Sequence, residues 1–386
     1  MRDSNTQPLP YWRLSGFYFA YFALLGCTYP YWSLYFQSVG FAPEQIGLLL
    51  AVPMATKIIA PNIWGWLADH SGRRLDIIRL GSLLALLCFL GITWSPAFGW
   101  LVAVMASYSF FWNAVLPQHE VITLRFLEAA PERYSRIRLW GSIGFIVAVV
   151  AAGYGFDHFG IDVFPRFGAG LLAAILVSSL LIPQPPAGDL VRSSRAFWKT
   201  VRLPAVRAFL VACILMQMAH GAYYSFFSLY LVDQGYSRFG VGLLWCVGVV
   251  AEVVIFIVMH RLLWRFGVRQ ILITSLLLAA LRWFAIGNGV EWLWVLIVAQ
   301  CLHAFSFGAF HASAIDTLRR LFGSGTQGSG QALYSAVSLG AGGAIGSYLA
   351  GEFWASGASV VFDSAGVMCL IAAGIAWHGF RDTRLS

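Results

Sequence analysis

The chain has 386 residues, of which 59% are hydrophobic, 16% aromatic and only 11% charged, with a formal net charge of +8. A soluble domain carries about a quarter charged residues, so this composition excludes an ordinary soluble enzyme or binding module, whose surface would be covered by apolar patches. The positive balance does not point to nucleic acid, because Lys and Arg fall in short loops between apolar runs, as membrane topology signals do. Cys27, Cys88, Cys213, Cys246, Cys301 and Cys369 all lie inside apolar runs without a CxxC pair. They read as small packing residues rather than a disulfide framework or metal site. No cleavable signal peptide is expected, since the first apolar run, Leu14 to Phe36, is long enough to span and no small-residue cleavage site follows it.

A spanning helix needs about 20 apolar residues. Twelve runs qualify: 14–37, 44–67, 76–95, 98–120, 138–156, 166–182, 207–231, 239–260, 270–288, 292–316, 330–353 and 361–379. Placing the N-terminus in the cytoplasm puts 21 of the 25 Lys and Arg residues on the inside. Only Arg166 and Arg238 then fall outside, while Lys57 and Arg282 lie within spans. That bias predicts both termini cytoplasmic in a bacterial inner membrane. The longest inside loop is rich in Pro and basic residues and divides the spans six and six. The predicted organisation is an N-terminal six-helix bundle (1–182), a cytoplasmic linker (183–206) and a C-terminal six-helix bundle (207–386). Such halves typify secondary transporters, with the substrate near the midplane.

After the second span the chain reads Gly65-Trp66-Leu67-Ala68-Asp69-His70-Ser71-Gly72-Arg73-Arg74. A small residue lets helices approach. The aspartate can pair with cytoplasmic basic groups in one conformation and release them in another. The second-half loop, His260 to Arg269, keeps Gly267 and Arg269 but lacks the aspartate. The first loop resembles the signature between helices two and three of the major facilitator superfamily. That resemblance implies an all-α membrane protein of twelve transmembrane helices in two six-helix bundles, with Gly65, Asp69, Gly72, Arg73 and Arg74 as a conformational gating motif.

Asn113, Pro117 and Glu120 give N-x3-P-x2-E, followed by Arg138 inside Arg136-Ile137-Arg138-Leu139-Trp140-Gly141-Ser142. This is similar to the proton-coupled sugar symporter branch that includes lactose permease, where the matching Glu and Arg pair at the substrate site. The RxRLWGS form, with Leu281-Arg282-Trp283 and Leu302-His303, is closer to the phenylpropionate permease branch. The sugar branch has a stacking tryptophan where this chain has Phe145, and a glutamate one turn after the helix-ten histidine where it has Ser306. Both departures argue against a sugar as cargo, and the second against the usual proton carboxylate.

An ionised group at the bilayer centre costs about 2.5–3.5 kcal/mol on insertion scales, so it needs a partner or a cavity. Lys57, Glu252, Arg282 and His303 each fall about halfway along a span, with Glu120 and Arg138 nearer the cytoplasmic side. Lys57 fits either a permanent partner such as Glu252 or a substrate carboxylate, and the planar fork of Arg282 suits bidentate carboxylate binding. Glu120 and Arg138 fit either a pathway pair or a fixed bridge between spans four and five. His303, His311, His220 and His119 each fit a core histidine bonded to a carbonyl as well as a functional one. Asp316 beside Arg319 and Arg320 reads as a gate or loop pair.

Most aromatics belong to interfacial belts, but Tyr29, Tyr31, Trp32 and Tyr35 in span one and Tyr223, Tyr224 and Phe227 in span seven fit either tight packing or a cavity wall. Gly323 to Gly330 lacks the Lys-Ser/Thr ending of a phosphate loop, and Gly340, Gly342, Gly343 and Gly346 suit close helix packing. The combined expectation is a non-enzymatic transporter taking up a small organic anion with protons by alternating access. Its cargo would be an aromatic carboxylate such as 3-phenylpropionate. Substrate binding falls to Lys57, Arg138, Arg282, Asn113, Tyr31 and Tyr223, and proton coupling to Glu120, Glu252 and His303. The expected partners are the anion, protons and the lipid bilayer, with a monomeric chain, no nucleic acid, no metal and no cofactor. The alternatives are a sugar or nucleoside proton symporter, and a drug or metabolite efflux pump.

Overall fold

Hydrocarbon offers no hydrogen-bond partners, so each apolar run must satisfy its own backbone, and a helix does this within one segment. The computed structural model describes residues 9–128, 130–185, 197–322 and 326–380 and is helical throughout, with no strand among them. Most of the linker (186–196) and the start of the Gly323–Gly330 stretch lie outside the described residues.

The first crossing is made of α1 (Tyr11–Thr28) and α2 (Trp32–Ser38), with a turn at Pro30 where one unbroken span was expected. Next come α3 (Pro43–Ser71), α4 (Arg74–Leu90), α5 (Phe98–Phe126), α6 (Tyr134–Phe159) and α7 (Phe164–Leu181). A short α8 (Phe197–Val201) leads into α9 (Pro204–Asp233) and α10 (Arg238–Gly289). Then follow α11 (Leu293–Cys301), α12 (Phe310–Leu321), α13 (Gln327–Tyr334), α14 (Gly343–Glu352) and α15 (Ala358–Gly379). Among the described residues nine helices are long and apolar enough to cross a bilayer. The 52-residue α10 is a pair of spans broken at Gly267. With α1–α2 and α13–α14 as interrupted crossings, the set is compatible with twelve. Val250, Val254 and Ile257 form an exposed stripe on α10 at helical spacing, as a lipid-facing surface requires.

The chain divides into two compact units, with breaks between Tyr29 and Pro30, Ile58 and Ile59, and Val191 and Arg192. In the first, α1 packs on α6 and α7, and α4 on α5 and α7. The second takes in Pro30–Ile58 with the C-terminal half. There α15 packs on α9 and α10, α14 on α9, and α2 on α9.

Lipid gives helices no hydrophobic reason to associate, so close backbone approach carries the packing. Gly221 and Gly346 show this: a Cβ on either would fall onto the backbone of the facing helix, that of Gly346 and Ser347 or that of Met218. Conformation explains another pair. Gly72 and Gly267 both adopt positive φ (67° and 75°), which only glycine tolerates without strain. Two residues beyond each stands an arginine, Arg74 or Arg269. The second-half loop has thus lost the aspartate but kept the turn. Arg79 donates to the carbonyls of Ser179, Leu180 and Ile182 at the end of α7. Arg269 donates to Trp377 O near the end of α15 at 2.9 Å. Both satisfy acceptors that a helix C-terminus leaves open.

Candidate functional site

The most enclosed charge lies in the second unit. Arg282 on α10 is 0% exposed. Its Nε donates to Ala299 O (3.0 Å), Nη1 to Ser306 Oγ (3.1 Å) and Nη2 to Gln300 Oε1 (3.2 Å). The guanidinium carbon stands 4.2 Å from the ring centroid of Tyr223 and 4.4 Å from that of Trp283. Tyr223 on α9 donates its hydroxyl to the same Gln300 Oε1 at 3.0 Å. Every hydrogen-bond acceptor on this cation is neutral.

The chain between α11 and α12 sets this geometry. Residues Ala304–Ala309 form a π-helical turn directly after His303. Such a turn inserts a residue and rotates the side chains that follow it. Ser306 then faces Arg282, and Phe307 stacks on His303 at 5.5 Å. His303 Nε2 lies 3.7 Å from Glu252 Oε2, the carboxylate from the first half of α10. His220 on α9 sits close by, its ring centroid 6.3 Å from that of His303 and 5.0 Å from that of Trp283. Four buried polar atoms in this cluster have no hydrogen-bond partner among the described residues: His220 Nε2, Trp283 Nε1, Gln300 Nε2 and His303 Nδ1.

A second cluster lies in the first unit. Glu120 on α5 is a near neighbour of Arg138 on α6 and is hydrogen-bonded by Tyr134. The Arg138 guanidinium folds back over the ring of Phe22, 3.9 Å from its centroid. Gly141, one turn on, leaves the room for this: a Cβ there would meet Arg138 Nη1 at 2.6 Å. The spacing Arg138-x-x-Gly141 is therefore a packing requirement as well as a motif. No ion pair within 4 Å joins Glu120 to Arg138 among the described residues. Asn113 is buried one turn below Pro117 on α5. Its neighbour Trp112 stacks on Tyr21, centroids 3.9 Å apart at 8°. His119 is buried against Phe17 at 4.0 Å.

The remaining candidates lie elsewhere. Lys57 on α3 is half-buried and donates to Met54 Sδ at 3.5 Å. Tyr31 is buried, with its hydroxyl donating to Arg238 O at 3.2 Å across to the start of α10. In the Gly65–Arg74 loop, Arg74 pairs with Asp69 and also donates to Gln118 on α5. Arg73 pairs with Asp76 at 2.7 Å instead. Asp316 pairs with Arg320 at 3.0 Å. The structure thus brings Arg282, Tyr223, Glu252 and His303 together and places Glu120 beside Arg138. Sequence reasoning missed Gln300, the residue bonded to both Arg282 and Tyr223. Its signal was a lone polar side chain inside the apolar run Leu293–Cys301.

The model of the MFS_1 like family matches residues 11–364. A probable 3-phenylpropionic acid transporter of Escherichia coli K12 is 32% identical over 86% of this chain and 88% of the relative. A maltose permease of Geobacillus stearothermophilus is 29% identical over 92% of each. Among solved structures, the nucleoside transporter NupG superposes with a TM-score of 0.84, at 16% identity, over 97% of this chain and 99% of that one. These relatives and the shared fold are those of transporters, not enzymes.

Proposed function

Because the chain belongs to the MFS_1 like family, within the multi-pass transporters of the major facilitator superfamily, we propose that it takes up a small organic anion together with protons. The favoured cargo is an aromatic monocarboxylate such as 3-phenylpropionate. The observation that carries this reading is Arg282, a fully enclosed cation whose hydrogen-bond acceptors are all neutral. A carboxylate outcompetes hydroxyl, amide and carbonyl oxygens for a guanidinium, because charge-assisted bonds are roughly twice as strong as neutral ones. The cargo's carboxylate takes the fork of Arg282 when the cage opens, and Tyr223 and Trp283 offer ring faces for an aromatic tail.

The proton travels on Glu252 and His303, which stand 3.7 Å apart. Glu120, with Arg138 and Tyr134 beside it, serves the same purpose from the first unit. Asn113, Tyr31 and Lys57 complete the substrate path, Lys57 as a further positive anchor. The Asp69–Arg74 contact is made in this conformation and broken in the alternate one, so that the Gly65–Arg74 loop gates the cycle. Both termini lie in the cytoplasm of a bacterial cell whose inner membrane holds the protein as a monomer.

The test is uptake of labelled 3-phenylpropionate into proteoliposomes with an imposed pH gradient. Accumulation that a protonophore abolishes is expected; no uptake, or uptake indifferent to the protonophore, overturns the proposal. A sugar or nucleoside symporter is the second reading, favoured by the likeness to a maltose permease and to a nucleoside transporter structure. A thermal-shift screen across sugars, nucleosides and aromatic acids separates the two, since a ligand stabilises the state it binds.

A further inference from the structure

His220 has no part in the mechanism above, yet it is buried beside it with one ring nitrogen uncommitted. Its Nδ1 lies 2.9 Å from Met216 O. A carbonyl only accepts, so Nδ1 carries the hydrogen and the neutral ring holds a lone pair on Nε2. That Nε2 is one of the four unpartnered buried atoms, and so is Nδ1 of His303. The other nitrogen of His303 is the one facing Glu252. His303 is therefore a two-ended group with a carboxylate at one end, and His220 offers an acceptor nearby.

Their ring centroids are 6.3 Å apart. That separation suits two hydrogen bonds of about 2.8 Å through a single water rather than a direct one. The Gln300 side chain is packed against the same pocket, since a Cβ on Gly248 would touch both Gln300 Oε1 (3.2 Å) and His303 Cδ2 (3.4 Å). Its unpartnered Nε2 supplies a donor. A buried water typically makes about three hydrogen bonds to otherwise unsatisfied polar groups, and His220 Nε2, His303 Nδ1 and Gln300 Nε2 make three.

We propose that a buried water joins His303 to His220 and makes His220 the terminal proton-accepting group of the C-terminal unit. The proposal rests on the proton-coupled reading and extends it to α9. The step balances as one proton moved. Protonated Glu252 gives its proton to His303 Nε2, His303 releases the Nδ1 proton to the water, and the water passes one of its own to His220 Nε2. The products are a Glu252 carboxylate, a neutral His303, an intact water and a His220 imidazolium still donating to Met216 O.

The charged and titratable groups facing the pair are Arg282 and Glu252 from α10 and Tyr223 and Tyr224 from α9 itself, while Cys369 from α15 lies against Met216 Sδ. Arg282 decides the coupling. An imidazolium beside a buried guanidinium is repelled, unless an anion sits on the guanidinium. Proton binding at His220 and anion binding at Arg282 therefore favour each other, by the same factor in both directions.

The test uses the full chain labelled with 15N-histidine in lipid nanodiscs, with His220→Asn identifying the His220 signals. The expected spectrum shows His220 as the Nδ1-protonated neutral tautomer. Glu252→Gln should move the ring-nitrogen shifts of both His303 and His220 and leave those of His119, which lies in the other unit, unmoved. An Nε2-protonated His220, or a His220 indifferent to Glu252→Gln, overturns the proposal. In proteoliposomes, His220→Asn should cut gradient-driven accumulation at least tenfold more than it cuts substrate exchange. Equal loss of both, or loss of neither, also overturns it. If the wild-type protein moves no aromatic acid in either mode, the cargo reading fails, while the spectra still decide the histidine pair.

Discussion

Replacing Arg282 with lysine keeps the charge and removes the fork. The guanidinium ties α10 to the chain after it by three bonds: to Ala299, to Gln300 and to Ser306 in the π-helical turn. A lysine ammonium is a point on a flexible stem and can hold one of these acceptors, so two bonds are lost. Side-chain hydrogen bonds between membrane helices average about 0.6 kcal/mol and reach about 1.7, which places the cost of Arg282→Lys at about 1–3 kcal/mol. At about 1.4 kcal/mol per tenfold, the fraction of opened molecules rises roughly 5- to 150-fold. Cys213 and Cys369 are buried free thiols in the same unit, so the labelling rate of a thiol-reactive fluorophore reads that opening directly. Uptake should fall at least tenfold, because a carboxylate held bidentately by arginine is held at one point by lysine. Unchanged labelling together with unchanged uptake would refute the reasoning, because charge alone would then suffice and the fork geometry would serve neither fold nor cargo.

Other perturbations address separate parts of the argument. Glu252→Gln keeps the side chain's size while removing its proton, and should damage gradient-driven uptake more than exchange; equal loss of both would argue against a proton role. Lys57→Ala should abolish uptake while the protein still inserts at normal abundance, and normal uptake would make that lysine structural. Gly221→Ala and Gly346→Ala each push a Cβ into the facing backbone and should each destabilise by about 1–3 kcal/mol. Their double variant should cost less than the sum, because the helices have already parted; a strictly additive pair in a thermal-unfolding cycle would contradict the close approach.

Spans were legible because hydrocarbon imposes one rule on every residue of a crossing, and the Gly65–Arg74 loop because a left-handed turn and an ion pair need particular residues at fixed positions. Breaks within spans were less so. The pause at Pro30 leaves little trace in hydropathy, since a chain can turn or continue with the same composition, whereas the break at Gly267 falls in the polar stretch between two expected spans. The π-helical turn at Ala304–Ala309 was invisible for a stronger reason. A π turn exchanges one hydrogen-bond register for another at small cost, and the tertiary contacts it permits decide whether it forms. Arg282, Glu252 and His303 could be named from their cost in a bilayer, but Gln300 could not, because an uncharged amide carries only a modest cost and its value lies in bonding two neighbours at once.

A serine rather than a carboxylate at position 306 ties these observations together. A carboxylate at that position would neutralise Arg282 permanently, and a cargo anion would have to displace a charge to reach it. A serine hydroxyl satisfies one donor and leaves the positive charge uncompensated. Burying such a charge is expensive, and the cost falls whenever an anion arrives. With an anionic cargo, as proposed, the enclosed guanidinium makes the cargo-free state the less stable one at this site, by an amount that anion binding would recover. That is the difference between two states a carrier needs in order to respond to its cargo. The same logic distinguishes the cargo classes. A neutral sugar or nucleoside recovers none of the electrostatic cost, so Arg282→Met should leave transport of a neutral cargo nearly intact and abolish transport of an anion. A variant lacking the guanidinium that still accumulates an aromatic acid would remove Arg282 from the binding site.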